Sequence, residues 1–169
     1  MVREILKFPH PMLKTPTQRV DVIDEEVRRL IQDMFDTMYH AEGVGLAANQ
    51  IGVSLKVMVI DTSKKEGSPP IKVVMINPEL VEAEGQIKYR EGCLSFPGLV
   101  VEVNRYSRVK VKATDINGEE KTYEFAGFPA IVFQHEMDHL EGITFIDRVN
   151  GLKRRLALDR YARLQKEKV

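Results

Sequence analysis

The run Gln134-His135-Glu136-Met137-Asp138-His139 holds two of the chain's four histidines, four residues apart, with a glutamate between them. On a helix, positions i and i+4 lie one above the other, so both imidazoles reach the same cation. Glu136 then faces the space beside that cation. The chemistry implied is hydrolysis by a metal-activated water, with the glutamate as general base. Ile131, Val132, Phe133 and Leu140 flank the motif as a helix packed inside a protein would require. Histidines that merely pack or hydrogen-bond in that helix are the competing reading.

Two imidazoles rarely retain a catalytic metal, so a third ligand is expected. No histidine follows His139, Glu141 is beside the motif, and Asp147 lies past a turn. Cys93, within Glu91-Gly92-Cys93-Leu94-Ser95, has the right chemistry: a thiolate with two neutral imidazoles leaves one tetrahedral position open. A small buried hydrophobe is the other reading of a lone cysteine, and spacing does not separate the two.

These residues need elements to position them. Asp24 is placed to cap a helix running to about His40, with Val27, Leu30, Ile31, Met34 and Met38 as its apolar stripe. Gly43 marks its end. The segment from Gly43 to Gly52 carries no phosphate-loop pattern, and its glycines suit close backbone approach. Strands are expected at Leu55 to Ile60, at Ile71 to Ile76 with Pro78 interrupting, and briefly at Ile87 to Tyr89. Val109 to Ala113 and Lys121 to Phe125 form a hairpin around Asn117-Gly118. The motif helix spans Phe128 to Leu140, with Pro129 in its first turn. A basic final helix runs from about Leu152 to Gln165, with apolar contacts at Leu152, Leu156, Tyr161 and Leu164. Pro9, Pro11 and Pro16 keep the first twenty residues extended. The sum is one α+β domain over residues 1–169, with mixed, mainly antiparallel sheets around a central motif-bearing helix and a C-terminal helix.

The 25 basic residues balance the 25 acidic ones. No DNA partner is implied by such a charge. No window approaches the roughly 18 apolar residues of a membrane span. The single cysteine excludes an internal disulfide and fits a reducing compartment. The N-terminal residues lack the pattern of a leader. A cytoplasmic protein is the expectation.

Three separated segments, Gly43-Val44-Gly45-Leu46-Ala47-Ala48-Asn49-Gln50, Glu91-Gly92-Cys93-Leu94-Ser95 and Gln134-His135-Glu136-Met137-Asp138-His139-Leu140-Glu141-Gly142, together resemble the peptide deformylase family. Their order and spacing match it, and the likeness extends over nearly the whole chain. The resemblance implies removal of the N-formyl group from N-formylmethionyl nascent peptides, with release of formate. It implies Cys93, His135 and His139 as metal ligands, with Fe2+ the usual ion and Zn2+, Ni2+ or Co2+ as substitutes. Glu136 becomes the general base and then the proton donor to the departing amine. Gln50, through its side-chain amide, and Leu94, through its backbone N–H, become donors to the developing oxyanion. Gly45 and its neighbours sit beside a cleft that takes an extended peptide.

By the same resemblance, Glu91 and Arg105 form a buried ion pair supporting the cysteine loop. Val44, Phe128, Ile131 and Val132 are candidates for the slot that takes the substrate's methionine side chain; ordinary core packing explains them equally. The basic C-terminal helix reads first as a solvated amphipathic helix, with transient ribosome association as the alternative that some relatives suggest. A metallopeptidase and an inactive binding homologue are the competing functions. Only a deformylase would release formate from a formylated peptide, and a pure binding module has no need of Glu136.

Overall fold

Asp24 accepts a hydrogen bond from the Val27 N–H and so starts the first helix, α1 (Glu25–His40), with Glu25 and Glu26 in its first turn. The cap satisfies an otherwise orphaned donor, and the two carboxylates favour the helix dipole. Its stripe of Val27, Leu30, Ile31, Met34 and Met38 is buried against β1 (Gly45–Ala47) and β2 (Val57–Asp61). The computed structural model describes residues 1–167; Lys168 and Val169, within the expected 1–169 span, lie outside the described residues.

Five strands form one antiparallel sheet in the order β1-β2-β3-β6-β7, with β3 at Lys72–Glu84, β6 at Arg108–Thr114 and β7 at Glu120–Ala126. β4 (Ile87–Cys93) and β5 (Phe96–Arg105) pair antiparallel as a separate ribbon. A parallel pairing occurs only as the isolated bridge of Gln18 with Leu55 among the described residues. The fold is a single α+β domain.

The N-terminal segment, expected to be extended, contains a short 3-10 turn at Pro11–Lys14. Two further sequence expectations need correction. Pro78 does not interrupt β3. The strand runs through it on a register shift between Ile76 and Glu79, the kind of bulge that tolerates a residue without an N–H. Asn77, at φ +52°, sits at that shift, and its side chain bonds both backbone groups of Val20 at 2.8 Å. The second correction concerns the C-terminal helix α3 (Gly151–Glu167), where Leu152 and Leu156 are exposed. Its buried face is instead turned by Tyr161, whose hydroxyl donates to the Phe8 carbonyl, with Ala157, Leu158 and Leu164 beside it.

The central helix α2 (Phe128–Leu140) begins at Gly127, φ +67°, with Pro129 in its first turn. Ala130, Val132, Phe133 and Leu140 pack with Met58, Met75, Val109, Val111 and Phe125 of the sheet. Nearly every residue of α2 is buried, which fits a helix without a clean amphipathic stripe. Two backbone bonds anchor the N-terminal segment: Leu6 N–H donates to the Gln50 carbonyl at 2.7 Å, and Phe8 N–H to that of Ser95 at 2.9 Å.

Candidate metal centre

α2 presents His135 and His139 from adjacent turns, their ring centroids 5.0 Å apart. Cys93 arrives from the end of β4, where the register breaks between Gly92 and Cys93 and the strand bends toward α2. One ligand atom from each of Cys93, His135 and His139 lies within 4.8 Å of the others. The Cys93 sulfur is 3.3 Å from His139 Nε2. His135 Nδ1 is 2.8 Å from Glu91 Oε1. That contact leaves Nε2 for the cluster, the usual orientation of a metal-binding imidazole backed by a carboxylate.

The donor set fits a metal ion on its own chemistry: a half-buried sulfur and two buried imidazoles, converging on one small volume. Burial disfavours a charged His135, yet the Cys93 sulfur and then Glu91 outweigh it and hold the ring's pKa well above its ordinary value. Burial, with His135 and Arg105, pushes His139 well below.

Glu136 lies beside this group, 4% exposed, and burial pushes its carboxyl up to about 7. Its Oε1 has no hydrogen-bond partner among the described residues. A buried oxygen left unpaired is costly in a purely structural role. Gly45 explains how β1 comes so near: a Cβ there would stand 2.7 Å from Glu136 Oε2 and 2.8 Å from Val132 Cγ1. Gln50, 1% exposed, accepts from Ala47 N–H through Oε1, donates to Ser95 Oγ at 3.1 Å, and has Nε2 3.9 Å from the Cys93 sulfur.

A cleft of about 460 Å³ opens onto these groups. Val44, Gly45, Phe128, Ile131 and Val132 line it, as do Gln50, Glu91, Cys93, Leu94, His135 and Glu136. His139 and Arg105 are not among its lining residues. Tyr89 and Arg90 are, and neither was among the site residues expected from the sequence. The Tyr89 ring stands 5.6 Å from that of Phe128, making an aromatic wall; alternation along β4, with Tyr89 and Glu91 on one face, was the available signal.

Behind the cleft, Arg105 donates from Nε and Nη2 to the two oxygens of Glu91 at 2.8 and 2.9 Å. Burial raises the Glu91 pKa, but Arg105 and then His135 more than reverse this and hold it at about 2. Burial also works against the Arg105 charge, and Glu91 and Asp138 overcome it.

The family model described as polypeptide deformylase matches residues 2–155. The chain belongs to the polypeptide deformylase family. The peptide deformylase of Aquifex aeolicus (strain VF5) is 64% identical over 168 residues, covering 99% of each chain. That of Acidobacterium capsulatum is 45% identical over 166 residues, covering 98% of this chain and 97% of the relative. Among solved structures, a peptide deformylase from Legionella pneumophila superposes with a TM-score of 0.87 at 43% identity, over 98% of both chains. One from Ehrlichia chaffeensis gives 0.90 at 31% identity, over all of this chain and 98% of that one. As a deformylase-family member, the chain is a hydrolase that removes the N-formyl group from nascent polypeptides. No helix among the described residues is long and apolar enough to cross a membrane.

Proposed function

We propose that residues 1–169 form one catalytic domain in which Cys93, His135 and His139 hold Fe2+, with Zn2+, Ni2+ or Co2+ as substitutes, in a cytoplasmic enzyme. The observation that carries the reading is the convergence of that sulfur and those two rings beside a buried carboxylate with an unpaired oxygen. When bound, the cation supplies Lewis acidity, polarising the formyl carbonyl and acidifying a water. Glu136 takes up a proton at Oε1 and later delivers it to the departing amine nitrogen; a carboxyl held near 7 suits both steps. Gln50 Nε2, already beside the sulfur, and the Leu94 backbone N–H donate to the oxygen that gains charge as the carbonyl becomes tetrahedral.

Val44, Phe128, Ile131 and Val132 hold the methionine side chain in the cleft. The missing side chain of Gly45 lets β1 lie against Glu136 and Val132, so that its backbone borders the cleft where an extended peptide binds. Glu91 and Arg105 keep the His135 ring at its angle rather than touching substrate. An anaerobic preparation assayed on formyl-Met-Ala and on Met-Ala, with metal analysis of the same sample, tests the reading. Formate from the first and no cleavage of the second is expected. Peptide-bond cleavage of both would instead mark a metallopeptidase.

A transient ribosome contact through α3 is part of the same proposal. Lys153, Arg154 and Arg155 are exposed next to the unburied Leu152 and Leu156, a basic face with apolar points that suits structured RNA and its proteins. Co-sedimentation with and without residues 150–169 tests it. Undiminished association after truncation would defeat it.

A further inference from the structure

Arg148 ends the short 3-10 turn Phe145–Arg148 and has a side chain 47% exposed to solvent. Its Nη2 donates to Asp138 Oδ1 at 2.7 Å and its Nε to Asp138 Oδ2 at 3.1 Å. Asp138 Oδ2 also accepts from Arg105 Nη1 at 2.5 Å. Arg105 clamps Glu91, and Glu91 Oε1 meets His135 Nδ1. A continuous run of charge-assisted hydrogen bonds therefore connects a surface guanidinium to a ligand-bearing ring through three buried side chains.

The charges explain why the outermost member matters. Glu91 and Asp138 are balanced by Arg105 and Arg148. Without Arg148, two buried carboxylates would share one guanidinium, and Asp138 Oδ1 would lose its Arg148 donor. Arg105 would then be drawn between Asp138 and Glu91, loosening the carboxylate that fixes His135. Solvent has a route to the gap, because Arg105, Asp138 and Arg148 line a second cavity of about 520 Å³ on the face of α2 away from the catalytic cleft.

We propose that Arg148 is a positioning residue for the metal site: its two-point hold on Asp138 sets Arg105 against Glu91 and so fixes the angle of His135. The proposal rests on the reading of His135 as a ligand and extends it to a residue that touches neither substrate nor cation. Lysine keeps the charge but not the fork, so it restores only part of the effect.

Cobalt-loaded parent, R148A, R148Q and R148K are compared with R108A, which breaks an exposed pair with Glu84 where the end of β3 meets the start of β6. The measurements are cobalt release to a chelator, the visible cobalt spectrum, kcat and KM separately, and Tm. R148A and R148Q are expected to release cobalt about tenfold faster, as loss of outer hydrogen-bond partners of a ligand does, with a shifted spectrum and a fall in kcat at little-changed KM. R148K falls between them and the parent, and R108A matches the parent. Either Arg148 neutral variant with a lowered Tm but parental cobalt release and spectrum would show an ordinary ion pair and overturn the proposal. A parent protein that takes up cobalt without a sulfur-to-cobalt absorption band would overturn the ligand reading itself, and this proposal with it.

Discussion

Glu91 and Glu136 share the same 4% exposure and stand on either side of His135, yet one is held at about 2 and the other pushed to about 7. Burial acts on both in the same direction. What separates them is company: Glu91 meets a guanidinium through both oxygens and a ring nitrogen through one, while Glu136 keeps an oxygen with no partner. A buried carboxylate with its hydrogen bonds satisfied is a fixed charge, suited to holding an imidazole in place. One left short of partners exchanges protons near neutrality. The cleft side of α2 is thus built for proton movement and the rear side for rigidity.

The strongest way to break this contrast is Glu136→Ala. Turnover of a formylated peptide should fall on the order of 10³-fold or more, with metal content unchanged by elemental analysis. Retained high activity would end its role as base. Next comes the rear side: Arg105→Met strands the buried Glu91 carboxylate and takes one donor from Asp138, and should lower unfolding free energy by about 3–5 kcal/mol in a urea titration. The double variant E91Q/R105M should recover much of that loss, and no recovery would mean that the pair's charges are not what matters.

A third test uses pH. The folded pKa of Glu91 lies below its ordinary 4.5, at about 2. Its contribution is therefore complete above about pH 4.5 and disappears as pH falls toward 2. The difference is worth about 3 kcal/mol by linkage. Urea midpoints measured across that window should fall less steeply for E91Q than for the parent; parallel curves would remove Glu91 from acid unfolding. The smallest effect expected is that of Gly45→Ala. Its Cβ must displace Glu136 or Val132, costing about 1–3 kcal/mol of stability while lowering kcat. Unchanged kcat would show that the close approach of β1 to Glu136 has no catalytic use.

Helix α1, α2 and the β6–β7 hairpin were legible because each announces itself within a few residues, through a cap, a period or an Asn-Gly turn. β5 was not read, although Phe96, Leu99, Val101, Val103 and Arg105 are its buried positions; Pro97 and Gly98 at its start hid the alternation. The passage of β3 through Pro78 depends on Val20, distant in sequence, which bonds Asn77. The exposed Leu152 and Leu156 had the spacing of a buried stripe, but Tyr161 reaching Phe8 decides which face turns inward. At the site, the histidine pair was readable from one helix. Cys93 stood between two readings until the β4–β5 pairing brought it to α2. Asp138 and Arg148 carried no separate signal, because an aspartate inside the motif and an arginine after it look like any solvated charges.

The bonds from Leu6 to Gln50 and from Phe8 to Ser95 tie one short stretch of backbone to both the amide-bearing turn and the residue two places beyond Cys93. Neither Leu6 nor Phe8 borders the cleft, yet together they act as a strap across two loops that no secondary structure joins. A shift of that short stretch would therefore be felt at Gln50 and beside Cys93 at once, through backbone alone.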